Sequence, residues 1–270
     1  RLPETYSYRK IPLIRYCISR GKDLFYDTAN NFFAAPWYCS GGGHSHDKAI
    51  PFETYRDTHP EYFILKNGKR QIDPKYPNYC FSNPEVQALI YQQILTDLDH
   101  GFTVTEVGQA DGFNACECQP CRQMFAVEDP AEKIWIMHRD MALRLLKDRP
   151  GATMQIMAYG PTANPPSTFN SFPENVCIEL AHLYWPGVLE NWKKIQVPGG
   201  FTTYSYNWGH YQIEGFTPKL TLSFLAQQAA LFNQYPIRGI YRCGFGELFG
   251  LEGPAYYAWG KMLDNPQLKP

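Results

Sequence analysis

Carboxylates and aromatic rings recur at the ends of strand-like runs in this sequence. The run beginning at Phe102 ends Glu106-Val107-Gly108-Gln109-Ala110-Asp111-Gly112, with one acid inside the strand and an amide and a second acid at its mouth. The last such run, Arg238–Cys243, leads into Gly244-Phe245-Gly246-Glu247, and Glu252 follows shortly after. Other runs end in rings with hydrogen-bonding tips: Tyr159, His182-Leu183-Tyr184-Trp185 and Tyr204-Ser205-Tyr206-Asn207-Trp208. Acids facing one another among such rings can cleave a glycosidic bond, because one carboxylic acid protonates the leaving oxygen while a second carboxylate attacks, activates water or stabilises the cationic centre. Flat rings stack on sugar faces, and phenol or amide tips bond the hydroxyls. The residues therefore predict Glu106 as acid/base, Glu247 as partner and Asp111 as substitute for either. His44, Gln109, Tyr159, Trp185, Tyr206, Asn207, Trp208 and Glu252 are the expected sugar contacts.

Plainer roles compete with these. Glu106 fits a buried acid paired to an arginine such as Arg9 or Arg242, since buried acids are rare unless paired. Asp111 before Gly112 is also an ordinary turn residue. Strand alternation puts Glu106 on the face opposite Gln109 and Asp111 unless Gly108 introduces a bulge. Gly41-Gly42-Gly43-His44-Ser45-His46 lets backbone and imidazole approach a ligand closely; its histidines are equally compatible with ordinary loop positions.

Of eight cysteines, three cluster as Cys116-Glu117-Cys118-Gln119-Pro120-Cys121, and Cys80 stands just before the preceding helix. The four could hold a structural zinc tetrahedrally. They could equally pair as disulfides in an exported protein or stay free. Cys17, Cys177 and Cys243 sit in apolar runs and read as core.

The elements that must position these residues alternate. Strand-like runs at Tyr6–Cys17, Trp37–Ser40, Phe102–Gln109, Thr153–Tyr159, Val176–Trp185, Phe201–Asn207 and Arg238–Cys243 are separated by helical patterns, which argues for a parallel sheet. Asn83-Pro84-Glu85 supplies a cap, a first-turn proline and an acid for a helix whose stripe is Val86, Leu89, Ile90, Ile94 and Leu98, stopped by Gly101. Further helices are expected at Ala131–Lys147, Thr221–Gln234 and Pro254–Leu263, with Trp135 and Trp259 as packing residues. Seven strands are visible, and an eighth could lie near Tyr62–Lys66 or within Leu24–Phe33. One domain over residues 1–270 with a (β/α)8 barrel, irregular in its first strands, is the expected fold; an open doubly wound sheet is the alternative. Barrel chemistry sits at the C-terminal strand ends, where the acids and rings above fall.

With 270 residues the chain can bury a sizeable core. Its net charge of −1 leaves no electrostatic footprint for nucleic acid, and no run approaches the ~18 apolar residues of a membrane span. The 16% aromatic content excludes disorder. No P-loop, Gly-x-Ser-x-Gly elbow or His-Glu-x-x-His helix occurs, and Gly244-Phe245-Gly246 lacks the spacing of a dinucleotide loop, so no cofactor is expected. The first residues lack the basic start and apolar stretch of a signal peptide, as expected of a mature form or an excised piece.

Several segments together resemble a known family. Gly42-Gly43-His44-Ser45, Tyr55-Arg56-Asp57-Thr58-His59-Pro60-Glu61-Tyr62-Phe63 with Asn67-Gly68-Lys69-Arg70, Cys80-Phe81-Ser82-Asn83-Pro84-Glu85-Val86, and Gln109-Ala110-Asp111-Gly112 leading into the cysteine cluster look like domain of unknown function 4838 in order and spacing. That family includes glycoside hydrolase family 163. The resemblance implies a secreted or periplasmic bacterial barrel acting on a carbohydrate partner. It further implies an endo-β-N-acetylglucosaminidase-like activity using two acids, for which Glu106 with Glu247 or Glu252 stand at the matching strand ends. Hexosaminidase barrels that use the substrate's own acetamide often carry an Asp-Glu dipeptide. This chain has none, so such a route would need acids separated in sequence. The alternatives are a non-catalytic carbohydrate-binding barrel and a polysaccharide lyase.

Overall fold

The computed structural model describes residues 16–19, 43–71, 75–183, 185–205, 220–235, 237–242, 249–265 and 267–268. The chain divides into two compact units, Pro36–Thr203 and Arg1–Ala35 with Tyr204–Pro270.

In the first unit, the short strand and helix pieces after Gly43 are α1 (His46–Ala49), α2 (Phe52–Tyr55), β2 (Leu65–Lys66) and β3 (Lys69–Arg70). They precede α3 (Pro84–Asp99), β4 (Val104–Val107), α4 (Gln119–Gln123), α5 (Pro130–Asp148), β5 (Thr153–Ala158), β6 (Val176–Leu180) and α6 (Val188–Trp192), and the unit ends within β7 (Phe201–Ser205). Strands β4, β5, β6 and β7 pair in parallel in that order.

Local chemistry explains the long helices. The Asn83 side chain accepts a bond from the Glu85 amide at 2.9 Å, and Asp129 does the same for Ala131 at 2.9 Å. Each cap satisfies an orphan amide of the first turn, and a proline holds the first helical position behind it. Gly101 follows α3 at φ +94°, a left-handed stop that a side chain would strain.

Register fixes what each sheet face carries. Glu106 lies opposite Gln155, Met157 opposite Glu179, and Glu179 opposite Thr202. Strand alternation then gathers Glu106, Gln155, Glu179 and Thr202 on one face, while Val107, Ile156, Ile178 and Leu180 form the apolar other face. Both faces are buried. Trp135 packs edge-on to Trp192 and Phe172 at 5.6 and 5.5 Å, and its indole N–H donates to the Asn164 carbonyl. It is the packing residue its helical spacing predicts.

The second unit holds β1 (Tyr16–Ser19) and β8 (Ile237–Arg242), paired in parallel, with α7 (Leu222–Gln234) and α8 (Phe249–Asp264). Thr221 caps α7 by accepting from the Phe224 amide. Trp259 is fully buried against Phe232.

Two fold expectations change. The protein is α/β with parallel strands, but no barrel closure is seen among the described residues. The run near Tyr62–Lys66 does not supply a barrel strand. Leu65–Lys66 instead forms a tight antiparallel hairpin with Lys69–Arg70, because Asn67 and Gly68, both at positive φ, reverse the chain within two residues. The helix expected at Pro254 begins at Phe249, with Pro254 inside it. The expected strand at Trp37–Ser40 and the segment Leu24–Phe33 lie outside the described residues. Among the described residues no helix is long and apolar enough to cross a membrane.

Candidate active site

The polar face of the sheet converges on two glutamates. Glu106, one residue from the end of β4, and Glu179, one residue from the end of β6, are 3% and 1% exposed. Their carboxyl groups are close neighbours. Gln155, on the strand between them, donates from Nε2 to Glu106 Oε1 at 3.3 Å, and its Oε1 accepts from the Thr202 hydroxyl at 3.1 Å. Two like-charged acids side by side and out of water cannot both ionise cheaply. Burial, then the neighbouring Glu106 charge, then the hydrogen bond to Glu106 hold the Glu179 carboxyl well above the ordinary carboxylate range. The pair therefore keeps a proton on Glu179 beside Glu106. Glu179 Oε1 has no hydrogen-bond partner among the described residues.

Glu132, also buried, shows what a structural acid looks like here. Its oxygens accept from the Ser167 amide at 2.7 Å and the Ser167 hydroxyl at 2.6 Å, so its burial is compensated by donors. Glu179 meets a second acid instead, an arrangement that costs stability and tunes proton affinity, as functional sites do.

The chain around Gly43 crosses over this pair. A Cβ on Gly43 would stand 3.9 Å from both Glu106 Oε1 and Glu179 Oε2, and 2.8 Å from the Met157 sulfur. Gly43 also sits at φ +75°, so glycine is required on two counts. Its carbonyl would lie 1.9 Å from a Cβ on Gly108. The crossing is fastened by the Gly108 carbonyl, which accepts from the Ser45 amide at 3.1 Å, and by the Gly108 amide, which donates to Ser45 Oγ at 3.1 Å.

A second, outer cluster lies at the C-terminal strand ends. The Tyr159 hydroxyl donates to Asp111 Oδ1 at 3.1 Å. His44 meets the Tyr159 ring edge-on at 5.3 Å, Tyr159 stacks on His182 at 4.9 Å, and His182 stacks on Trp185 at 3.6 Å. Burial holds the His182 imidazole below its ordinary value. Trp185 ends this ladder 54% exposed, the open face of an otherwise packed row. Gln109, fully buried, ties the two loops together: its side-chain Nε2 donates to the Tyr159 carbonyl at 2.7 Å and the Thr162 hydroxyl at 2.9 Å, while its backbone carbonyl contacts His44 Nδ1 at 2.6 Å.

The structure thus brings together Glu106, Gln109, Asp111, His44, Tyr159 and Trp185 from the sequence expectation. It arranges them as an inner acid pair and an outer ring-and-acid rim, consistent with the opposite strand faces that alternation assigns to Glu106 and Asp111. Glu247, Tyr206, Asn207 and Trp208 lie outside the described residues, as does the side chain of Glu252 on α8. Glu179 is the site residue that sequence reading missed. Its signal, a lone acid within the apolar run Val176-Cys177-Ile178-Glu179-Leu180, is the one that marks Glu106. An open concavity of about 590 Å³ is lined by residues 164–170 with Asn191, Lys194 and Ile195 and carries neither carboxylate nor imidazole. The chemistry converges at the acid pair.

His46, two residues from His44, points elsewhere. It is buried with Nε2 3.1 Å from His138 Nε2, and both imidazoles lie below their ordinary value, His138 at about 3, chiefly through burial. A native state that excludes the proton while the unfolded chain binds it loses stability as pH falls. The loss begins at the unfolded value near 6.5 and continues toward about 3. We expect the wild-type chain to lose up to about 1.4 kcal/mol per pH unit through His138 in that window, and His138→Gln to show a correspondingly shallower slope in denaturant titrations at pH 7, 6 and 5. An unchanged slope would refute the buried neutral pair.

Comparison with known proteins first gives a likeness of fold. The chain is similar in fold to a glycoside hydrolase, a mutant of the O-GlcNAc hydrolase of Thermobaculum terrenum, with a TM-score of 0.53 and 15% sequence identity. The likeness covers 96% of this chain and 61% of that one, so this chain spans about three fifths of the relative's length. A family model then matches residues 5–270, and the chain belongs to the DUF4838 family, described as a domain of unknown function. No curated protein matches the sequence.

Proposed function

We propose that the protein is a glycoside hydrolase acting on a β-linked N-acetylhexosamine in a glycan, with Glu179 as the proton donor and Glu106 as its partner acid. The observation that carries this reading is the acid pair itself, two neighbouring carboxyls near the ends of β4 and β6, on either side of β5, of which Glu179 is held well above the ordinary carboxylate range. Such closeness leaves no room between them for the water of an inverting mechanism, whose carboxyls stand roughly 6.5–9.5 Å apart. Adjacent acids suit assistance by the substrate's own acetamide. Its carbonyl oxygen attacks the anomeric carbon as the glycosidic C–O bond breaks, Glu179 gives its proton to the leaving oxygen, and Glu106 accepts a hydrogen bond from the acetamide N–H. Water then opens the cyclic intermediate, returning a proton to the site. The two glutamates, 73 positions apart in sequence, supply by folding what a neighbouring pair of acids supplies elsewhere. The fold likeness to an O-GlcNAc hydrolase supports the substrate class.

Asp111, Tyr159, His44 and Trp185 form the sugar platform in this reading, and Glu247, Tyr206, Asn207, Trp208 and Glu252 remain proposed contributors. Export to the periplasm or cell exterior is part of the same proposal. Trp185→Ala should weaken glycan binding by 1–2 kcal/mol, roughly 5- to 30-fold, with the effect in KM. An unaltered KM would remove the ladder from the site. Acetamide participation is tested with N-trifluoroacetyl analogues of a cleaved substrate: turnover should fall as the acyl oxygen becomes less nucleophilic. Equal turnover would exclude the assisted route.

A second reading has its own support. Both glutamates are almost fully buried, which suits a carbohydrate-binding barrel-like relative in which only the rim meets sugar. It predicts glycan affinity without product, which calorimetry and product analysis on the same sample distinguish.

A further inference from the structure

The cysteine cluster lies apart from the acid pair and has no part in the chemistry above. Cys80 precedes the Asn83 cap of α3, and Cys116, Cys118 and Cys121 come from the loop after β4 and the start of α4. Their four sulfurs all lie within 4.8 Å of one another, with Cys80 3.6 Å from both Cys118 and Cys121, and none is in a disulfide. A disulfide would bring two sulfurs to about 2.05 Å, whereas Cys80 stands 3.6 Å from both Cys118 and Cys121. Four thiolates around one ion at about 2.3 Å stand about 3.75 Å apart along each tetrahedral edge, close to the spacing found.

The surroundings suit thiolates. The Leu65 amide donates to Cys116 Sγ at 3.2 Å and the Ser82 amide to Cys121 Sγ at 3.4 Å. The Arg70 guanidinium lies near the Cys80 sulfur. Backbone donors and a guanidinium offset the negative charge of a four-sulfur centre and fix its ligands, the role outer groups play around structural metals.

We propose that Cys80, Cys116, Cys118 and Cys121 bind one structural Zn²⁺. With all four positions filled by protein the ion has no open site, so its role is to hold. It fastens the loop carrying Asp111 to the segment ahead of α3, two stretches also joined by the Asn114 amide to Asn78 Oδ1 at 2.9 Å.

The test is the metal content and thiol state of the full chain expressed with zinc available and without added reductant. One zinc per chain is expected, with four thiols shielded from alkylation until a strong chelator is added, and an intact denatured mass equal to the fully reduced chain. Cobalt exchanged into the same protein should give the intense visible bands of tetrahedral thiolate coordination. Cys118→Ser should lose the zinc and Cys177→Ser should keep it. A metal-free chain with a mass deficit of one hydrogen pair per disulfide, immediate alkylation of all cysteines, or iron in place of zinc would each overturn the assignment. Should Cys118→Ser not fold, the wild-type metal content and cobalt spectrum decide.

Discussion

Glu179→Gln and Glu106→Gln should each lower turnover of a cleaved glycan by at least ~10²-fold while leaving glycan affinity within a few-fold of the wild type. The substitutions keep shape and remove, respectively, the proton donor and the carboxylate that holds its proton in place. The two losses should not add, since either variant already breaks the pair. The pH profile separates the roles. Glu179 donates only while protonated, so the wild-type rate should fall as pH rises through its elevated value, and Glu179→Gln should lack that limb. Stability runs in the same direction. A carboxyl raised in the folded state binds more protons folded than unfolded, so its contribution is present at low pH and is lost as pH rises above the ordinary carboxylate range. Glu179→Gln should therefore be more stable than the wild type at pH 8 and gain less from acidification, measured by denaturant unfolding at pH 5 and 8. Destabilisation at pH 8 together with full turnover would mean that the pair neither stores a proton nor uses it.

Gly108→Ala should be the most damaging single methyl in the site. The new Cβ would fall 1.9 Å from the Gly43 carbonyl, which is backbone and cannot rotate away. The crossing segment must lift, breaking the bonds from Ser45 and moving Gly43 off the acid pair. Overpacking of this kind costs about 3 kcal/mol, or roughly 6–12 °C in Tm for a chain of this size. Turnover should fall as well, because the segment that covers the carboxyls is displaced. A Tm within a degree of the wild type would show that the crossing is soft and does not constrain the site. The contrast variant is Gly151→Ala, where a Cβ meets nothing within 4 Å and only the positive φ of 86° is strained.

Much of this was legible in residue types. Asn83, Asp129 and Thr221 announce their helices by capping chemistry that acts over three residues, and Gly101 announces a stop; local physics of that range survives in a linear string. Glu106, Asp111, Tyr159, Trp185 and His44 were legible because strand ends can be read from alternation and turn residues. Closure of a barrel was not legible. It depends on how strands distant in sequence tilt and pair, whereas at Leu65–Arg70 the Asn67-Gly68 pair is a two-residue hairpin signal in the sequence itself, and the structure forms that hairpin. The partner of Glu106 was hidden for a related reason. Glu179 falls within a strand-like run and Glu247 follows one in sequence, and only the register of β4, β5 and β6 brings Glu179 to Glu106. The cysteine spacing was compatible with metal, disulfide or free thiols. Four sulfurs within one shell, held by amides from Leu65 and Ser82, is a property of the folded loops.

The central claim is that the Glu106–Glu179 pair cleaves a glycan, and it is tested most directly by incubating the purified chain with a panel of N-acetylhexosamine-containing glycans and reading products by mass spectrometry, with Glu106→Gln/Glu179→Gln run in parallel. The account predicts a glycan shortened at a single linkage with a new reducing end from the wild type, and none from the double variant under the same conditions. Equal product from both proteins, or tight glycan binding by the wild type with no product at all, would contradict it.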